Sequence, residues 1–199
     1  AHAAAGALVK NPLLITAVLS LLVACGTPQP APRLYQLRAA PPVAVVAQPS
    51  AQVVQLLAMS LPELLERDAL LIPQGQAGLD ALSGHRWAEP LRDAVPRVLR
   101  QDLAALIGEA RVWTAPLPAG VALTRRLRVE ILVLQARPDR GGVWLEARWT
   151  LSDATGNTPP RVELTRIDAP AAGTEPDALV AAHRLALWRL AEQMAAALR

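Results

Sequence analysis

The sequence predicts an α+β fold: an antiparallel β-sheet with two helices packed on one face, behind a segment that is removed. Three observations predict it. Residues 126–151 hold two alternating apolar/polar runs joined by Asp139-Arg140-Gly141-Gly142, the pattern of a long hairpin with one wet face. Two windows, 86–107 and 176–198, carry apolar residues at helical spacing. Near the start, an apolar run over residues 12–24 follows Lys10 and ends at Cys25. Its 13 residues suit the apolar region of a secretory leader and fall short of the ~20 needed to span a bilayer.

Leu22, Val23, Ala24 and Cys25 form a lipobox. The protease that cuts lipoprotein leaders needs a small residue before the cysteine, here Ala24, and an aliphatic residue three before it, here Leu22. The thiol of Cys25 is then the lipid-attachment site. One cysteine forms no intrachain disulfide, and in an exported chain a lone thiol calls for an explanation that acylation supplies. The competing reading is an uncleaved signal anchor with a buried cysteine. The polar, Pro-rich stretch directly after Cys25 suits a tether leaving a membrane better than a helix continuing through one. The expected organisation is residues 1–24 as lipoprotein signal peptide, 25–33 as lipidated flexible tether and 34–199 as the folded domain. Gly26 rather than aspartate follows the cysteine, the pattern expected of lipoproteins sorted to the outer membrane, facing the periplasm.

Along the domain, residues 34–38 read as a first strand, ended by Pro41-Pro42, and 53–58 as a second. Residues 61–63 read as a turn or single helical turn. Residues 68–72 read as a third strand, stopped by Pro73 and followed by a Gly-containing loop to Gly84. The first helix is expected over 86–107, with Trp87, Leu91, Val95, Leu99, Leu103 and Leu106 as its stripe. Pro90 fits its first turn, Pro96 bends it near Val95, and Gly108 stops it. A brief strand is expected over 111–114. In the hairpin, Leu127, Val129, Ile131 and Val133 share one face, as do Val143, Leu145, Ala147, Trp149 and Leu151. A further strand covers 161–167, and Glu130, Arg148 and Glu163 are expected to pair across the outer face. Trp144 points away from the core there, so Trp144 and Arg148 mark an interface for an oligomer or partner. Thr174 caps the last helix, Pro176 occupies its first turn, and its stripe is Leu179, Val180, His183, Leu187, Leu190, Met194 and Leu198.

Chemistry-bearing patterns are sparse. His85 and His183 lie apart, without cysteine or ligand spacing, so no metal site and no cofactor is expected. His183 falls on the apolar stripe as a core residue, and His85 reads as a cap or surface group. None of Ser50, Ser60, Ser83 and Ser152 sits in a Gly-x-Ser-x-Gly turn, and there is no phosphate loop. The charge is also uninformative. Removing the one lysine takes the formal net charge from +3 to +2, and the densest basic cluster is Arg125, Arg126 and Arg128. That is no stripe for nucleic acid.

Four segments in order carry a resemblance: the lipobox ending in Cys25, Leu34-Tyr35-Gln36-Leu37, Asp68-Ala69-Leu70-Leu71-Ile72, and Arg86-Trp87-Ala88-Glu89-Pro90-Leu91. Together they resemble the PqiC-like ABC-type transport auxiliary lipoproteins over most of residues 25–198. The Arg86–Leu91 stretch is the most specific part. The resemblance implies a lipid-anchored periplasmic component of an intermembrane lipid-transport system and no enzymatic activity. It further implies an MCE-domain protein as partner and contact with the membrane through lipidated Cys25. It allows a ring-like homo-oligomer. Two roles remain open for Arg86, Trp87, Glu89, Pro90 and Leu91. They start a core-facing stripe, or they touch a partner, and the two overlap. Two other functions remain in view: a domain carrying lipid in its own apolar groove between sheet and helices, and, least supported, an envelope hydrolase.

Overall fold

A computed structural model describes residues 30–38, 40–41 and 47–199. Leu22, Val23, Ala24 and Cys25, and with them the signal peptide and most of the tether, lie outside the described residues, as do Pro42 and residues 43–46. The folded unit begins at Pro32.

Among the described residues the chain is α+β, with two α-helices and two sheets. Strands β1 (Arg33–Tyr35), β4 (Gly78–Trp87) and β3 (Ala69–Gln74) form a three-stranded sheet in that order. Strands β5 (Val112–Trp113), β2 (Val54–Leu56), β6 (Arg125–Ala136), β7 (Gly142–Asp153) and β8 (Arg161–Pro170) form a five-stranded one. The sequence reading of one antiparallel sheet is corrected on two points. There are two sheets, and both are mixed: β1 runs parallel to β4, and β2 parallel to β5 and β6.

The largest correction is β4. The segment after Pro73 is not a loop to Gly84. It turns at Gly75, where φ is +60°, and returns as a ten-residue strand antiparallel to β3. Pro73 lies inside β3, opposite Leu79. Most of β4 is exposed and carries Gly, Ser and Asp, so it shows none of the alternation that marks a half-buried strand.

Arg86 and Trp87 consequently belong to β4, and helix α1 (Leu91–Ile107) starts only at Leu91 with Pro90 as its cap. Pro90 therefore stands before the first turn. Asp93 and Ala94 donate to the Pro90 carbonyl, at 3.0 and 3.1 Å, and Asp93 places a negative charge at the positive end of the helix. The helix continues through Pro96 and ends at Gly108, whose φ of +105° favours glycine. Val95, Val98, Leu99 and Leu103, all fully buried around Pro96, supply packing that offsets the hydrogen bond the proline cannot make. Helix α2 (Pro176–Ala197) starts with Pro176 at its first position, and Glu175 rather than Thr174 occupies the position before it, with no side-chain cap.

The β6–β7 hairpin forms as expected, with Val129 opposite Trp149 and Glu130 opposite Arg148. A bulge between Ile131 and Val133 reverses the inward row. Leu134 and Ala136, not Val133, continue the buried face of Leu127, Val129 and Ile131. In the turn, the left-handed residue is Arg140 (φ +57°), and Asp139 accepts the Gly141 N–H at 2.9 Å. Gly142 answers a different need. A Cβ there would lie 2.5 Å from the Ala169 carbonyl of β8.

The core lies between this sheet and the helices. Leu127, Val129, Leu145, Ala147 and Trp149 of the sheet join Leu99, Leu103 and Ile107 of α1 and Leu187, Leu190 and Met194 of α2 in one buried cluster. Burial of each leucine, isoleucine, valine or methionine among them contributes about 1.5–3 kcal/mol.

Candidate functional site

The segment of residues 86–91 turns out to be a corner where four elements meet. Trp87, at the end of β4, donates its backbone N–H to the Asp68 carbonyl at 2.6 Å, and Ala88 donates to Tyr35 at 2.7 Å. The Trp87 ring is buried and meets the edge of His183 on α2, ring centres 5.3 Å apart. Leu91 is buried beside them. Arg86 pairs with Asp68 at 2.8 Å on the surface, and Glu89 pairs with Arg97. Arg97 also reaches the Leu37 carbonyl at 3.4 Å. Trp87 therefore lies outside the helical stripe, which begins at Leu91. Trp87 closes a strand and Leu91 opens a helix, and the turn between them binds β1 to the domain.

His85 is neither a helix cap nor a free surface group. It lies in β4 opposite Arg33, its Nδ1 is 2.9 Å from the Tyr35 hydroxyl, and the two rings stack at 5.7 Å. Burial pushes the Tyr35 phenol above its ordinary value, with Arg33 beside it pulling the other way. Arg33 pairs with Asp177 on α2 at 3.0 Å. So β1, three residues long, is held through side chains to both β4 and α2.

Deeper, Asp102 of α1 and Arg184 of α2 form a buried pair with bonds of 2.8 and 2.5 Å. The Arg184 Nε also donates to the Arg38 carbonyl at 2.6 Å, just after β1. Burial pushes the Asp102 carboxyl up to about 6, against the opposing pull of Arg184. His183, next along α2, is driven down to about 4 by burial, while its hydrogen bond with the Leu179 carbonyl at 2.8 Å works the other way. The residue stays neutral, as a core histidine does. Neither Asp102 nor Arg184 was singled out from the sequence. A signal existed: each is a charged residue on an apolar stripe, Asp102 one position before Leu103 and Arg184 one after His183.

On the face of the five-stranded sheet turned from the helices, Trp144 is 37% exposed and Arg148 pairs with Glu130 at 2.9 Å. The expected third partner is absent from this group. Arg148 stands opposite Leu164, and Glu163, on the helix side of β8, pairs with Arg161 at 2.8 Å instead. The structure does not bring Trp144 and Arg148 together with the 86–91 corner, which packs on the helix side.

Among the described residues, no group of His, Cys, Asp and Glu is placed to hold a metal ion, and no helix is long and apolar enough to cross a membrane. A hollow beside Trp87, Leu91, Leu134 and His183 measures about 20 Å³, room for one water and far too small for an acyl chain. A larger one of about 670 Å³ lies open to solvent between β1 and α2, lined by Arg33, Leu34, Arg38 and Val180 among others.

Two crystal structures share the fold. An uncharacterised protein, 16% identical, aligns with a TM-score of 0.66 over 85% of this chain and 100% of its own. Protein XCC0632 from Xanthomonas campestris, 15% identical, aligns with a TM-score of 0.64 over 82% of this chain and 92% of its own. No curated protein sequence matches. Residues 35–195, from Tyr35 of β1 to Ala195 near the end of α2, match the model of one family, and the chain belongs to the ABC-type transport auxiliary lipoprotein components.

Proposed function

We propose that this protein is a lipid-anchored periplasmic accessory of an intermembrane lipid-transport system. Acyl chains on Cys25 hold it on the outer membrane, and its domain docks a periplasm-spanning MCE protein, supporting outer-membrane integrity. The observation that carries the reading is the family match to transport auxiliary lipoproteins over nearly the whole folded unit. Cys25 behind Leu22, Val23 and Ala24 supports the anchor. Two or more acyl chains give stable membrane attachment, because each buried CH₂ adds ~0.8 kcal/mol.

The domain's part is binding rather than chemistry. The 86–91 corner serves it indirectly, by tying β1, where the tether enters, to both helices. The uncovered sheet face with Trp144 and Arg148 is the surface assigned to the MCE partner or to a neighbouring subunit of a ring. Tryptophan and arginine are enriched at protein interfaces. The hollow beside Trp87, Leu91, Leu134 and His183, at about 20 Å³, is too small for an acyl chain, which favours docking over lipid carriage at that place.

Affinity purification of the full-length chain from detergent-solubilised envelopes tests the proposal. An MCE-domain protein is expected in the eluate. Its absence, under conditions that retain other envelope complexes, counts against the reading.

A further inference from the structure

We infer that the buried Asp102–Arg184 pair is a proton-operated latch on β1. When Asp102 takes up a proton, Arg184 turns out into the open hollow between β1 and α2 and lets go of the Arg38 carbonyl, and the β1 segment detaches more readily from the domain.

The geometry supplies each part of the latch. Asp102 of α1 is wholly shielded from solvent and meets Arg184 of α2 through hydrogen bonds of 2.8 and 2.5 Å. The same guanidinium holds the segment after β1, its Nε donating to the Arg38 carbonyl at 2.6 Å. Arg184 also has a way out, because it lines the hollow of about 670 Å³ together with Arg33, Arg38 and Asp177. Asp177 lies two helical turns before Arg184, on the same face of α2. Its carboxylate now pairs with Arg33 at 3.0 Å, with side chains 62% and 64% exposed. A pair that exposed holds weakly. Arg184, once in the hollow, competes with Arg33 for Asp177 and so loosens the other tie between β1 and α2. What remains is a strand of three residues, paired on one side with β4. Detaching it costs far less than unfolding the domain.

Protonating Asp102 leaves the Arg184 charge buried without its counterion, and a move into water relieves that. Among the described residues, the charged groups that act on Asp102 are Arg184 and Glu192, both on α2. Burial pushes the carboxyl up to about 6, against the pull of Arg184. Withdrawing Arg184 removes that pull, so Asp102 binds its proton more tightly in the open state than in the closed one. Proton binding therefore favours opening, and opening sets in as pH falls through about 6. His183, beside Arg184 in sequence, faces Trp87 and the Leu179 carbonyl instead, and at about 4 it stays neutral over this range. With the anchor at Cys25, release of β1 would slacken the link between membrane and domain. That consequence rests on the proposed function; the latch itself does not.

Amide hydrogen exchange of the full chain, read by mass spectrometry at pH 7 and pH 5 and corrected for the intrinsic rate, tests this. Exchange over residues 33–38 and at Ala88, whose N–H is held by the Tyr35 carbonyl, is expected to rise roughly tenfold at pH 5. The β6–β7 hairpin should not change. Asp102→Asn keeps the side-chain shape without the charge and should exchange fast at both pH values. His85→Gln, which removes the histidine against Tyr35, and His183→Gln should both keep the pH step. Equal exchange of the parent chain at the two pH values, or a rise shared by the hairpin, overturns the proposal. So does a step that survives Asp102→Asn or vanishes in either histidine variant. Should Asp102→Asn fail to fold, the parent chain and the histidine variants still decide. Loss of MCE capture leaves these outcomes unaffected, so the two readings fail separately.

Discussion

Asp102 and Arg184 face each other across the two helices, joined by two hydrogen bonds of 2.5 and 2.8 Å, with the Asp102 side chain wholly shielded from solvent. Arg184 also holds the Arg38 carbonyl, so the pair sits where α1, α2 and the segment after β1 converge.

Removing one member leaves a buried charge without its counterion. Asp102→Ala is expected to cost about 3–5 kcal/mol, measured by urea unfolding. Replacing both, as Asp102→Leu with Arg184→Met, should cost far less, because no charge is then stranded. Equal losses in the single and double variants would contradict this account.

His183 gives a pH dependence whose sign is set by its depressed folded value of about 4 against 6.5. Below 6.5 the unfolded chain binds a proton that the folded chain does not. The stability His183 contributes is complete above pH 6.5 and is lost as pH falls toward 4, about 3 kcal/mol in all. Asp102, raised to about 6, acts in the opposite sense: its contribution is complete below pH 4 and is lost as pH rises through 6. The wild-type profile therefore mixes the two. Stability measured against pH for His183→Gln and wild type, taken as a difference, isolates the histidine. A flat difference between pH 4 and 6.5 would contradict its buried, neutral state.

Gly142→Ala places a methyl group 2.5 Å from the Ala169 carbonyl, and β7 and β8 must separate to admit it. The expected cost is about 1–3 kcal/mol in urea unfolding. Gly141→Ala, whose Cβ would meet only the Asp139 carboxylate at 3.2 Å, should cost less.

Trp144→Ala is expected to weaken capture of the MCE protein or subunit assembly while leaving the urea midpoint nearly unchanged. The ring lies on the outer face opposite Gln135 and Asp168, outside the buried cluster. Unfolding of the variant domain would contradict that placement.

Much of this architecture is legible in the sequence because burial is periodic. The β6–β7 hairpin and both helices announce themselves through residues such as Val129, Trp149, Leu99 and Leu187, whose spacing matches the face they bury. What escapes is structure held by few inward groups. Strand β4 hides because it is mostly exposed, and it carries Trp87 out of the helix to which spacing assigned it. The bulge after Ile131 hides because Leu132, Val133 and Leu134 are all apolar, so composition cannot mark where the alternation breaks. The Tyr35–His85 and Asp102–Arg184 contacts join residues about fifty and eighty positions apart, and no local pattern encodes such pairings. The 86–91 segment was readable as distinctive, but its job as a corner emerges only when β1 is seen beside β4.

The account stands on the anchor at Cys25, and intact-mass analysis of protein isolated from its native envelope tests it most directly. The predicted product begins at residue 25 and carries the added mass of acyl chains on that cysteine. A product starting elsewhere, or one with a free thiol at Cys25, would contradict the account.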